Sequence, residues 1–350
     1  MILQPGTGNI RGRHYLPTTP DTASWGRLPN AARAPVLHVG DGDVVTVDTL
    51  SHEGILEEFG RDPVAWFGAH GVARDEVLAD AVDVARHLGR APGSGPHVVT
   101  GPIAVAGAAP GDLLRVEVLD LRLRVPYGVI SNRHGFGALP DEYPEAPGTF
   151  SVFTRVEDGR ATMPFAGGRA ARWPVAPFLG VMGVATATDH ELSSTPPGPH
   201  GGNLDVKPLQ AGSVLYLPVQ VPGAGFYVGD PHFAQGNGEV CLTALEGSLR
   251  ADLRVGVLRG REAAAAIGSV RAPFAETDTH WIPIGLHEDL DEAMRDAVRR
   301  AIEFLSTRQG MERALAYAYL SAAADFEVSQ VVDGVKGVHC MIRKEDFTTS

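Results

Sequence analysis

Only two cysteines, Cys241 and Cys340, stand among the 350 residues. Two thiols this far apart exclude a disulfide framework and fit a reducing compartment, so a cytoplasmic location is expected. No stretch reaches the ~20 apolar residues that a spanning helix needs. The opening Met1-Ile-Leu-Gln-Pro-Gly6 has no basic segment followed by an apolar one, so no signal peptide is expected. Positive charge is also short: 30 Lys and Arg against 42 Asp and Glu leave a net charge of −12. Without a basic stripe the chain is a poor partner for nucleic acid or for an anionic membrane surface. A small neutral or cationic ligand remains.

What is present suits a soluble globular protein, with 44% hydrophobic and 21% charged residues. The 42 glycines and 26 prolines are spread along the chain, which predicts many turns between short strands. Three segments are expected. Residues 1–34, rich in Pro, Arg, Thr and Gly, read as an extended arm packed on the body or on a partner subunit. Residues 35–260 read as a β-rich core, and 261–350 as a helical region whose last strand returns to that core. The fold class is α+β: a sandwich- or barrel-like β body, with helices mainly in the C-terminal third.

Asp43 to Leu50 alternates apolar and polar residues as a half-buried strand does. Gly42-Asp43, Gly111-Asp112 and Gly212-Ser213 each precede a strand-like run. They read either as recurring β-units or simply as good turns. Helices are expected over 75–88, 288–305 and 311–324, with Leu290, Met294, Ala297, Ala301 and Leu305 on one side of the second. Residues 124–175 read as loops and short hairpins, and 238–249 with 251–258 as paired strands.

The chemistry concentrates between Pro199 and Glu246. Asp230 and His232 are two apart, which on an extended segment puts both side chains on one side. Asp205 lies just before the strand leading to them. These three are the expected metal ligands, since a hydrolytic metal site needs deprotonated donors and an open position for water. His52, at the end of the first strand, and His97, just before a later one, are candidates to complete the shell. Glu239 follows a glycine-rich turn that can fold it back to His232; it or Glu246 is the candidate general base. His200 is placed to bind a carbonyl or shuttle a proton. Gly202 and Asn203 are placed to bind substrate, with glycine amides as an oxyanion hole. Taken singly, each residue fits a turn or packing role as well. Cys241, with Lys207 near in sequence, is a second candidate nucleophile, though it stands in an apolar run where free cysteine is usually inert. No Gly-x-Ser-x-Gly elbow occurs, and Gly6-Thr-Gly8 follows no strand, so neither a serine hydrolase nor a dinucleotide loop is indicated.

In three stretches the chain resembles the acetamidase/formamidase family. They are Thr100 to Val118 (Thr-Gly-Pro-Ile-Ala-Val-Ala-Gly-Ala-Ala-Pro-Gly-Asp-Leu-Leu-Arg-Val-Glu-Val), His200-Gly-Gly-Asn-Leu-Asp205, and Leu217-Pro-Val followed by Val228 to Val240 and Ala244-Leu-Glu246. The resemblance spans roughly residues 36 to 340. It implies a β-rich α+β fold, hydrolysis of small linear amides to a carboxylate and ammonia, a divalent metal that is zinc by preference, and a homo-oligomer. Lactam or other cyclic-amide hydrolysis on the same scaffold is the nearest alternative. A Cys241-dependent amidase and a non-catalytic small-molecule binder are the others. Two departures bear on the substrate: Ser51-His52-Glu53-Gly54 at the first strand's end, and Pro231 with Phe233 around His232.

Overall fold

The computed structural model describes residues 2–347. Two sheets dominate it. One has nine strands in the order His14–Leu16, Val44–Asp48, Leu249–Leu258, Leu113–Leu123, Val214–Pro218, Phe274–Glu276, His280–His287, Lys336–Arg343 and Asp325–Gln330. In the other, the path Arg169–Pro174, Arg160–Phe165, Thr149–Glu157, Tyr127–Arg133, Leu245–Glu246, Phe226–Ala234, Phe178–Gly183 and Gly201–Asn203 carries a branch through Val98–Val105. The α+β class stands, with the longer helices near the C-terminus.

Alternation explains the main core. Along Leu113–Leu123, Leu114, Val116 and Val118 are fully buried while Arg115 and Glu117 are half-buried. Across the gap they meet Val129, Leu179, Phe226 and Val228 of the second sheet in one apolar cluster. A second cluster lies under the C-terminal helices. Helix Leu290–Arg308 starts at Asp289, whose side chain accepts from the Glu292 amide. It buries Ala293, Ala297, Ala301, Phe304 and Leu305. The small residues let it lie so close to the sheet that a Cβ at Gly285 would stand 2.3 Å from the Ala293 carbonyl.

The three Gly-polar turns all enter strands of the nine-stranded sheet. Gly42, Gly111 and Gly212 have φ of 85°, 97° and 91°, a region open mainly to glycine. Asp43 and Asp112 then close their turns by accepting from the Gly40 and Ala109 amides.

Several expectations need correction. Residues 238–249 do not form a strand paired with 251–258. Positive φ at Gly238, Glu239 and Leu242 breaks the extended run, and Leu249–Leu258 pairs instead with Val44–Asp48 and Leu113–Leu123. Residues 124–175 do form hairpins, but as a regular four-stranded meander rather than among irregular loops, with one long connection over 134–148. The helix expected over 75–88 begins later, at Ala79–His87, after a single 3₁₀ turn. Leu290, expected on the packed face of its helix, is 37% exposed.

The first residues lie on the body of their own chain. Arg124 Nε donates to the Leu3 carbonyl, and Arg250 donates to those of Gln4 and Thr7. Both arginines are fully buried and paired, Arg124 with Asp80 at 2.8 Å and Arg250 with Asp48 at 2.6 Å. Asp48 ends the strand whose continuation carries His52. Arg124 also donates to the Thr49 carbonyl, fixing that continuation.

Candidate active site

Five separate segments meet at one buried cluster. The continuation of Val44–Asp48 brings His52 and Glu53, and the entry to Val98–Val105 brings His97. Strand Phe226–Ala234 brings Asp230 and His232. Asp205 follows Gly201–Asn203, and the 236–246 segment delivers Glu239 and Glu246. All eight are under 7% exposed. His52, His97 and Asp230 each offer an atom within 4.8 Å of one another. So do the sets Asp205, His232, Glu239 and Asp230, His232, Glu246.

Each imidazole is tied on one nitrogen and turned inward on the other. His232 Nδ1 lies 3.0 Å from Gln235 Oε1. Gln235 spends its amide nitrogen on the Asp205 and Ser329 carbonyls, so its oxygen must face His232. His232 therefore carries its proton on Nδ1. Its Nε2 looks at Asp230 Oδ2, 2.9 Å away, and Glu246 Oε1, 3.1 Å away, without hydrogen-bond geometry to either. His97 Nδ1 stands 3.1 Å from the Ser194 carbonyl, leaving Nε2 toward Asp230. His52 reverses the pattern: Nε2 faces Glu53 at 3.3 Å, and the unpartnered Nδ1 faces Asp230 at 3.5 Å. Glu53 is held in turn by Ser131 and Arg133. An outer acceptor that fixes the tautomer is how metal-binding histidines are oriented.

The cluster is short of positive charge. Burial pushes the Asp205 carboxyl up to about 7, with Asp230 adding to the effect against His232. Burial likewise raises Glu239, Glu246 and Asp333. Burial opposes a charge on His232 and His52, yet neighbouring carboxylates outweigh it. Glu246 and Asp230 raise His232 well above the ordinary range, and Asp230 and Glu53 hold His52 at about 10. His97, with burial dominant and Asp230 only partly offsetting it, falls to about 4. Both Asp205 oxygens, Asp230 Oδ1, Glu246 Oε2 and Asp333 Oδ2 have no hydrogen-bond partner among the described residues. Buried carboxylates left bare are costly unless a cation joins them.

The backbone makes room for the cluster. The register that pairs Leu179 with Pro231 and Val181 with Gly229 sets Gly180 across from Asp230. A Cβ there would come within 2.4 Å of both Asp205 Oδ1 and Asp230 Oδ2. Asp205, Asp230 and Glu239 themselves sit at φ of 50°, 50° and 47°. Left-handed non-glycine residues store strain and gather at functional sites.

Asn203 lines the same cavity as His52, His97, Asp230, Glu239 and Glu246, and its amide oxygen has no hydrogen-bond partner among the described residues. His200 stands elsewhere. Its ring packs beside Gly198 and Gly202, it does not line that cavity, and burial lowers it to about 4. Gly202, at φ 81°, gives the close approach that the His200 ring requires. Cys241 faces the carbonyls of Ser131 and Thr243 outside the cavity, and burial raises its thiol. Gly180, Gln235 and Asp333 were not among the residues anticipated. A glycine inside the apolar run Phe178-Leu-Gly-Val-Met was a readable signal of close approach. Asp333, in the turn between the last two strands, left no such signal.

The chain matches the profile of the Acetamidase/Formamidase family over residues 75–194 and 185–343. It belongs to that family. A formamidase from Methylophilus methylotrophus is 30% identical over 211 residues, 47% of this chain and 52% of that protein. An acetamidase from Mycolicibacterium smegmatis is 29% identical over 220 residues, 47% of this chain and 54% of that protein. The chain thus spans about half the length of the curated relatives it matches. The solved structure of an acetamidase from Bacillus halodurans superposes with a TM-score of 0.73 at 26% identity, covering 95% of this chain and 98% of that one.

Proposed function

We propose that this member of the family hydrolyses primary amides to a carboxylate and ammonia, with a divalent metal held by the buried cluster. The observation that carries the reading is the inward turn of three imidazole nitrogens onto Asp230, each fixed by an acceptor on its other nitrogen. The formamidase and acetamidase among its relatives supply the bond class. His52, His97, Asp230, His232 and Asp205 would hold the metal, and mixed imidazole and carboxylate donors suit zinc. When bound, such an ion polarises a carbonyl and lowers the pKa of its water.

The remaining steps fall to side chains. Glu246, 3.1 Å from His232, takes the proton from the attacking water and passes it to the leaving nitrogen, and Glu239 is the alternative carrier. The Asn203 side chain donates to the substrate oxygen as negative charge develops there. Gln235 and Glu53 keep His232 and His52 in the required tautomers. His200 acts at most from outside this arrangement.

The test uses Asp205→Ala, His232→Ala and Glu246→Gln. Each is expected to keep the fold by circular dichroism and lose at least roughly a hundredfold in ammonia release from acetamide and formamide. The two ligand variants also lose bound metal, while Glu246→Gln keeps it. Full activity in all three would reject the site.

A further inference from the structure

The cavity above the cluster is far larger than a formyl or acetyl amide requires. It measures about 610 Å³. At about 30 Å³ for each water-sized group, acetamide fills roughly 120 Å³. Spare volume alone would be solvent, but part of the wall is apolar. Leu56, Phe136, Leu242 and Val332 line the same cavity. Phe136 is 56% exposed on the 134–148 connection. Leu242 is held at φ 115°, a backbone that a leucine adopts only at a cost. Apolar side chains in a wet wall gain when an apolar group covers them.

Charge decides what kind of group. Two arginines reach this cavity, and both are already engaged. Arg90 pairs with Glu57 at 2.6 Å, and Arg133 pairs with Glu53 and Glu58. Among the described residues of this cavity no arginine or lysine is left unpaired for an anionic tail, and the carboxylates of the floor would repel one.

We propose that the substrates are primary amides whose acyl group is apolar and longer than acetyl, straight-chain or phenyl-bearing. The tail lies against Leu56, Phe136, Leu242 and Val332 while the amide reaches the cluster. This rests on the amide-hydrolase reading and names its substrate class. The reaction stays balanced as R–CO–NH₂ plus water giving R–COO⁻ plus NH₄⁺.

The experiment measures ammonia release by the full chain, purified with its metal, from formamide, acetamide, butanamide, hexanamide and 3-phenylpropanamide. A buried methylene contributes about 0.8 kcal/mol, or roughly fourfold in kcat/KM, so hexanamide is expected to exceed acetamide at least about tenfold. Phe136→Ala and Leu242→Ser are each expected to cut the hexanamide-to-acetamide ratio severalfold. A flat or falling series, with ammonia still released from acetamide, overturns the substrate class and leaves the hydrolase reading standing. A rise untouched by both substitutions overturns the tail's placement. No ammonia from any amide overturns both readings.

Discussion

At Gly180 a single methyl group decides whether the cluster can form. A Cβ there would sit 2.4 Å from two carboxylate oxygens on different segments, so Gly180→Ala must push Asp205 and Asp230 apart. The strand itself tolerates alanine. The expected result is a folded protein whose bound metal and turnover both fall at least roughly tenfold, the scale of losing a supporting contact. Metal analysis beside a thermal melt reads it, and an unchanged metal content would show that the gap is not needed. Gln235 acts at the same scale through one hydrogen bond. Sequence spacing brought Asp205, Asp230, His232 and Glu239 into one candidate group because they lie within one stretch of chain. His52 and His97 entered only as strand-end possibilities. Asp333 was invisible, since nothing local marks a residue whose partners lie far away in sequence; Gln235 stands only three residues from His232, but in a glycine-rich turn whose geometry the sequence does not fix.

Among the elements, the strand Val44–Asp48 carries the most consequence. Its last residue, Asp48, is fully buried against Arg250, and Tyr15 donates to the same carboxylate at 2.7 Å. Removing the carboxylate leaves a buried guanidinium uncompensated, which typically costs about 3–5 kcal/mol. Asp48→Ala is therefore expected to lower the urea midpoint sharply at unchanged slope, and a loss under about 1 kcal/mol would show the pair to be solvated. The same corner has a pH signature. Burial, and then its bond to Asp48, push the Tyr15 hydroxyl up to about 12 from 10.0. A raised value means that the contribution is fully present below pH 10 and is lost as pH rises through about 12. The urea midpoint is expected to fall between pH 9 and pH 11.5, and to fall less in Tyr15→Phe. Strands with clean alternation, such as Leu113–Leu123, were legible in advance. The 238–249 segment was not, because its composition is that of a strand while its left-handed residues are dictated by what Glu239 must reach.

For the whole molecule, two sheets packed on one core hold the ends of distant segments at a common floor, and the C-terminal helices brace the far side of the nine-stranded sheet. No described helix is long and apolar enough to cross a membrane. Leu139, Tyr143, Phe150 and Val240 are all about half exposed or more, and the homo-oligomer that the family resemblance implies would cover them, as one part of the functional reading. Sedimentation at micromolar concentration is expected to give a species heavier than the 37.0 kDa chain, and a monomer at every concentration would remove that part. The broad class was legible from turns and alternation. The convergence of the five segments was expected from the chemistry of their residues, but which strand ends neighbour one another was not legible, since it depends on sheet order rather than on any local pattern. The most direct measurement is an anomalous-difference map, at the zinc edge, of crystals of the active protein, paired with activity before and after chelation. A peak is expected among His52, His97, Asp205, Asp230 and His232, with turnover lost on chelation and restored by zinc. Full turnover in metal-free protein, with no peak at that position, would contradict it.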